Sequence, residues 1–215
     1  MNTRFSWKKL FSMFSYSANT LAVKDIPPKS QMSLDRLMEG NERYIKELLE
    51  HPNRSIKHIQ TIKENQSPYA VILGCSDSRT SPVIIFDQGM GDLFEVRVAG
   101  NVVGPIEIAS IEYAAKYLGS SLIFVMGHEN CGAVKAVLAG QTTDIEPIAN
   151  KIEAAIGDPK KITLENAVKD NVRAVVKQLR ENQLIGKLIA EQKVYVTGGY
   201  YRLSTGKVEI CCDIP

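Results

Sequence analysis

The sequence predicts an α/β fold, a mainly parallel sheet of four to five strands flanked by helices and preceded by an N-terminal helical arm. Three features carry that expectation. Short apolar runs rich in β-branched residues, Tyr69 to Leu73, Leu93 to Val98, Ser121 to Met126 and Lys193 to Val196, read as strands. Segments of helical period separate them, and that alternation implies parallel strands with helices on both faces. The chain has 215 residues, 44% of them hydrophobic, enough for one sizeable core without demanding a second. We divide it into an arm or targeting segment, residues 1–32, and one α/β domain, residues 33–215.

The N-terminus has two readings. Arg4, Lys8 and Lys9 precede Leu10-Phe11-Ser12-Met13-Phe14, the pattern of a poor export signal ending near Ser17-Ala18. Trp7, Leu10, Phe11 and Phe14 also fall at the spacing of an amphipathic helix, suited to a partner subunit or a membrane surface. We favour the subunit. Val23 to Gln31, with Pro27-Pro28, reads as an extended linker. Ser33 then caps a helix to about Glu50, with Leu34, Leu37, Met38, Tyr44, Ile45 and Leu48 on its buried face and His51-Pro52 as its stop. His51 and His58 sit in polar surroundings and receive no role.

Beyond the first strand, Ser81-Pro82 begins a short helix, and Gly89-Met90-Gly91-Asp92 turns the chain into the second strand. After Ala99-Gly100-Asn101, Pro105 sits at the first turn of a helix ending near Leu118-Gly119. A helix from about Cys131 to Leu138 follows the third strand. Residues 141–160 read as short helices, and Thr163 starts a long helix to about Asn182, with a short one ending before Gln192. After the fourth strand and Gly198-Gly199, Tyr200 to Leu203 and Lys207 to Cys211 read as a hairpin around Ser204-Thr205-Gly206.

Composition narrows the function classes. A net charge of +2 is too near balance to point to nucleic acid or an acidic surface. No apolar run reaches the ~20 residues a membrane-spanning helix needs. The cysteines, Cys75, Cys131, Cys211 and Cys212, are too few for a secreted disulfide framework, which favours a cytoplasmic protein, or an exported one if residues 1–18 act as a signal. Adjacent at the end of a strand, Cys211 and Cys212 are expected to point to opposite faces, one in the core and one exposed.

The chemistry lies after two of the strands. Gly74-Cys75-Ser76-Asp77-Ser78-Arg79 ends the first, and an extended chain there would point Cys75, Asp77 and Arg79 into one space. Gly127-His128-Glu129-Asn130-Cys131-Gly132 ends the third, with His128 and Cys131 at the spacing that shares one face of a helical turn. In parallel sheets ligands collect beyond the carboxyl ends of the strands, where both segments lie. Two sulfurs and an imidazole suit zinc, and three protein ligands with a vacant position is the catalytic pattern. Asp77 has two readings: a fourth ligand that closes the site, or a carboxylate held off the metal by Arg79 and free to accept a hydrogen bond. Two thiolates and a neutral imidazole leave the metal near zero net charge, so activity is expected to rise through the alkaline range.

With both motifs laid out, the sequence resembles the β-class carbonic anhydrases. Cys75-Ser76-Asp77-Ser78-Arg79 and Gly127-His128-Glu129-Asn130-Cys131-Gly132-Ala133 match that family's two signatures. Ala99-Gly100-Asn101, Ser110-Ile111-Glu112-Tyr113-Ala114 and Leu37-Met38-Glu39-Gly40-Asn41 match further segments in order, over about Leu34 to Ile210. The resemblance implies one zinc per subunit on Cys75, His128 and Cys131, with hydroxide attacking carbon dioxide to give bicarbonate and a proton. It implies Asp77 and Arg79 as catalytic dyad and Gln66 as a substrate-binding residue from the neighbouring subunit. Phe94 and Tyr113 match pocket residues, and Gly132 offers a backbone N–H to bicarbonate; by residue type alone, Phe94 and Tyr113 read as core. Ile72 stands where the bicarbonate-regulated branch has tryptophan, which points to the plant-like branch, whose aspartate stays off zinc. Val98 and Arg202 depart from the family's asparagine and aspartate, and neither touches a proposed ligand. The family's members are homodimers or larger assemblies, such as homotetramers, with sites at subunit boundaries. Two further readings of the motifs are a carbon disulfide hydrolase on the same scaffold and a non-catalytic zinc or redox-sensing module with Asp77 as permanent fourth ligand.

Overall fold

The computed structural model describes residues 26–212. Both readings of the first 18 residues therefore fall outside the described part. The elements run α1 (Pro28–Ile45), α2 (Ile56–Ile62), β1 (Ala70–Gly74), α3 (Pro82–Ile85), β2 (Leu93–Arg97), α4 (Pro105–Tyr117), β3 (Leu122–His128), α5 (Gly132–Leu138), α6 (Glu146–Ala155), α7 (Leu164–Glu181), α8 (Gln183–Ala190), β4 (Tyr195–Tyr201) and β5 (Val208–Ile210). The strands form one sheet in the order β2-β1-β3-β4-β5. All neighbours are parallel except the β4–β5 pair.

β1 and β3 are buried along their whole length, as central strands covered on both faces must be. Their alternation divides the core in two. Val71, Leu73, Ile123, Val125 and Val196 face Ile111 of α4, Val172 and Val176 of α7 and Ile185 of α8. Ala70, Ile72, Leu122, Phe124 and Met126 face Leu37 of α1 and Ile85 and Phe86. A third cluster closes the carboxyl end of the sheet, where Cys75 and Cys131 join Val102, Val134, Ile152, Val168 and Tyr200. No helix among the described residues is long and apolar enough to cross a membrane.

Several boundaries differ from expectation for identifiable reasons. α1 starts at Pro28, whose fixed φ suits a first helical turn, so Pro27-Pro28 opens the helix rather than extending a linker. Ser33 is thus inside it and caps nothing; its hydroxyl bonds the Lys29 carbonyl and, at 2.8 Å, Ser121 Oγ. Leu48 lies beyond the helix end and is 67% exposed. α2, capped by the Ser55 hydroxyl on the His58 N–H, is absent from the sequence reading: Ile56, Ile59 and Ile62 repeat every three residues, but the element is only seven residues long and buries none of them. β4 runs straight through Gly198-Gly199, a pair the sequence reads as a break. A Cβ on Gly198 would stand 2.6 Å from Val172 Cγ1, so glycine here lets α7 lie close against the strand. Cys212 is buried and Cys211 half-buried, and both pack toward the α7 side of the sheet instead of opposite faces.

Candidate metal centre

Strand register decides what meets at the carboxyl end. Gly74 pairs with Met126, so the residues that follow, Cys75 after β1 and His128 at the end of β3, emerge side by side. His128 is the last residue of its strand, not part of a helical turn. The chain reverses through Glu129 and Asn130, the latter at φ +58°, and delivers Cys131 as the residue that caps α5. The ligand atoms of Cys75, His128 and Cys131 all lie within 4.8 Å of one another, and all three residues are buried.

The histidine is prepared as a ligand. Its Nδ1–H donates to the Glu129 carbonyl at 2.9 Å, the usual outer bond that leaves Nε2 with its lone pair. Nε2 is buried and has no hydrogen-bond partner, a position that costs free energy unless something else occupies the lone pair. The sulfurs complete the argument. The neighbouring Cys131 thiol foremost, then His128 and the Gly100 N–H, pull the Cys75 thiol below its ordinary value against the opposing effect of burial. The Cys75 contact and burial push Cys131 up. Two sulfurs thus stand beside an imidazole lone pair that no protein donor occupies. That donor set fits zinc.

Backbone geometry fixes the first ligand. The Gly100 N–H donates to Cys75 Sγ at 3.3 Å. Arg97, at the end of β2, donates from Nε to the Cys75 carbonyl at 3.1 Å and from Nη2 to the Asp77 carbonyl at 2.7 Å. Thr80 Oγ1 is bonded to the same two carbonyls. The segment after Gly74 is thus a pinned turn, closed by Thr80 N on the Asp77 carbonyl, and not an extended strand. Arg79 leaves from that turn and folds back on Asp77: its N–H and Nε reach Oδ1 at 3.0 and 2.9 Å, and its Nη2 reaches Oδ2 at 2.8 Å. These bonds, the side-chain one foremost, hold the Asp77 carboxyl well below the usual carboxylate range. Asp77 Oδ2 stands 3.9 Å from His128 Nε2, yet Asp77 is not among the residues whose ligand atoms cluster.

Cys75, Asp77, Arg79, His128 and Cys131 are therefore brought together, and Gly132 follows as the exposed first residue of α5 with open space where a Cβ would be. Gln66, Phe94 and Tyr113 are not. Phe94 pairs with Val71, four residues before Cys75, which is about 13 Å along the strand. Its ring lies 6.4 Å from Tyr113, and Tyr113 lies 5.7 Å from Tyr117; Phe94 is half-buried and packs against the core, as its residue type suggests, whereas Tyr113, 47% exposed, lies at the surface. Gln66 precedes β1, at the opposite end of the sheet, and lines an open recess of about 260 Å³ with His58, Ile62 and Met90. Arg97 and Gly100 escaped the sequence reading. Arg97 gave no signal, while Gly100 stood out only as part of the Ala99-Gly100-Asn101 turn and its family-like segment, with no role attached.

The chain is similar to known proteins in sequence and in fold. A family model described as carbonic anhydrase matches residues 70–208. Carbonic anhydrase 2 of Mycobacterium tuberculosis (strain ATCC 25618 / H37Rv) is 50% identical over 103 residues, 48% of this chain and 50% of that protein, so the match spans half the length of that relative. A carbonic anhydrase of Mycolicibacterium smegmatis is 35% identical over 184 residues, 81% of this chain and 89% of its own length. Among solved structures, the Coccomyxa β-carbonic anhydrase in complex with acetazolamide superposes with a TM-score of 0.65 at 26% identity, covering 82% of this chain and 85% of that one. The β-carbonic anhydrase CafA of Aspergillus fumigatus gives a TM-score of 0.66 at 25% identity, covering 84% and 89%.

Proposed function

This chain belongs to the β-class carbonic anhydrases, and we propose on that footing that it catalyses the reversible hydration of carbon dioxide to bicarbonate and a proton, with one zinc per subunit. The observation that carries the proposal is the Cys75–His128–Cys131 cluster, with a buried unpaired Nε2 beside a carboxylate already committed to Arg79. When bound, zinc supplies the Lewis acidity that lets water act as a nucleophile near neutral pH, an effect carbonic anhydrases themselves illustrate.

The chain's own groups do the rest. Cys75, His128 and Cys131 would hold the metal and leave a fourth position open. Asp77 would accept a hydrogen bond from the attacking water or hydroxide and aim its lone pair at the carbon. Arg79 would keep Asp77 ionised, oriented and off the metal; the three bonds it makes favour the open site of the plant-like branch over a closed one. The Gly132 N–H would receive a bicarbonate oxygen. Gln66, Phe94 and Tyr113 lie too far from this centre to serve it within one chain, which supports a homodimer or homotetramer in which a neighbour lends them. A cytoplasmic location agrees with the few cysteines.

The test is zinc content with stopped-flow hydration of carbon dioxide from pH 6 to 9. Stoichiometric zinc and a rate rising with pH are expected, since two thiolates offset most of the metal's charge. Protein without stoichiometric metal overturns the reading. So does zinc-loaded protein inert toward carbon dioxide throughout that range, which would favour carbon disulfide as substrate or a non-catalytic zinc module.

A further inference from the structure

Asn171 lies within the apolar stripe of α7, flanked by Val168, Val172 and Val175, and is 0% exposed. Its Nδ2 donates to the Gly100 carbonyl at 2.8 Å, and flipping the amide would set oxygen against oxygen, so this orientation is fixed. Its Oδ1 is buried without a partner. A half-satisfied amide in an apolar stripe costs stability that leucine or valine would not. Packing alone therefore gives no reason for asparagine here.

The partner of that amide gives one. Gly100 is the residue whose N–H reaches Cys75 Sγ at 3.3 Å, and it sits at φ +72° in the Ala99–Asn101 3₁₀ turn. On its other side the turn is already tight, since a Cβ on Gly100 would stand 2.9 Å from Ile152 Cδ1 and 3.2 Å from Ala133 Cβ. A glycine in this conformation has wide rotational freedom at the two torsions that join its N–H to its C=O, and anchoring the carbonyl removes part of the freedom by which the N–H could swing off Cys75. We propose that Asn171 is a positioning residue for the metal centre. Its amide clamps Gly100 so that the glycine N–H stays on Cys75 Sγ, which sets the rotamer and donor strength of that ligand. The effect is that of an outer-shell hydrogen bond to a metal ligand, delivered here through one backbone residue.

The proposal rests on the zinc reading above, and the experiment separates the two. Wild type, Asn171→Leu, Asn171→Ala and the packing control Val176→Ala are compared by zinc dissociation constant in chelator competition. The thiolate-to-metal charge-transfer band of the cobalt(II)-loaded proteins and the urea midpoint are read alongside. Both Asn171 variants are expected to bind zinc about 10–100-fold more weakly with a displaced band. Val176→Ala, which thins the same helix against β4, should lower the urea midpoint and leave zinc affinity and band unchanged. Asn171 variants with wild-type affinity and band overturn the proposal, as does an affinity loss no greater than that of Val176→Ala at matched stability. If Asn171→Leu does not fold, the smaller Asn171→Ala decides. Wild type that binds no zinc removes the zinc reading itself, and the proposal with it.

Discussion

Replacing Asp77 by asparagine keeps its size and removes its charge. In the structure Oδ1 accepts two bonds from Arg79, from N–H and Nε, and Oδ2 accepts one from Nη2 at 2.8 Å. The amide will keep its oxygen where two donors converge, so its NH2 takes the place of Oδ2. That sets donor against donor at Nη2, on the side that faces His128 Nε2 at 3.9 Å. The lost charge-assisted bond is worth ~1.5–3 kcal/mol when buried. The Arg79 side chain is 52% exposed, however, and solvent screening reduces the stability cost to about 1 kcal/mol or less. Fold and zinc content should therefore survive. The rate should not, because the atom proposed to accept the nucleophile's hydrogen has become a donor. Losses of general-base function run ~10²–10⁴-fold, or about 3–5 kcal/mol of barrier. Stopped-flow hydration near pH 8.5, an assay condition of about that value, with kcat and KM separated and zinc measured on the same samples, reads both quantities. A kcat within about twofold of wild type at full zinc occupancy would refute the role of Asp77. Loss of zinc would refute it differently, by making Asp77 the fourth ligand.

Three other outcomes are expected. Mixing Asp77→Asn protein with Gln66→Ala protein and allowing subunits to exchange should recover about a quarter of wild-type activity, since half the dimers are mixed and one of their two sites is whole; no recovery would mean that Gln66 serves its own chain or none. Gly127→Ala places a Cβ 2.7 Å from both Val168 Cγ1 and Val172 Cγ2, overpacking that costs ~1–3 kcal/mol, and adding Val168→Ala should restore much of the lost thermal midpoint. Asp87 has a fully buried side chain; burial pushes its carboxyl up, but Arg43 and the N–H groups of Glu50 and His51 outweigh it and hold it below the usual range. A depressed carboxyl stabilises the fold above its unfolded value of ~3.9 and loses that contribution as pH falls through the folded one. The urea midpoint of Asp87→Asn should thus fall below wild type at neutral pH, and the gap should narrow below about pH 4. A gap that stays constant or widens in acid would contradict the assignment.

Much of this protein is written locally. Apolar runs with β-branched residues mark β1 and β3, Thr163 marks the start of α7, and Pro105 that of α4. Each depends on neighbours within a few positions, so the pattern survives in one dimension. The proposed ligands Cys75, His128 and Cys131 are legible for the same reason, each close to the end of a recognisable strand. α2 was not legible, because Ile56, Ile59 and Ile62 span under two turns, too short a run for the helical period to stand out. Asn171 left a fainter trace, an amide set among the valines of the buried face of α7.

The sequence by itself determined the donor set, the parallel α/β architecture and the family. Only the tertiary structure decided which of the proposed site residues share one space. It put Arg79 back onto Asp77 through a turn, joined two apparent strands across Gly198-Gly199, and left Gln66, Phe94 and Tyr113 away from the metal ligands. Those outcomes depend on strand register and on how closely α7 can approach β4, contacts between residues far apart in the chain. No local pattern encodes them, because each is settled by the shape of the partner it meets.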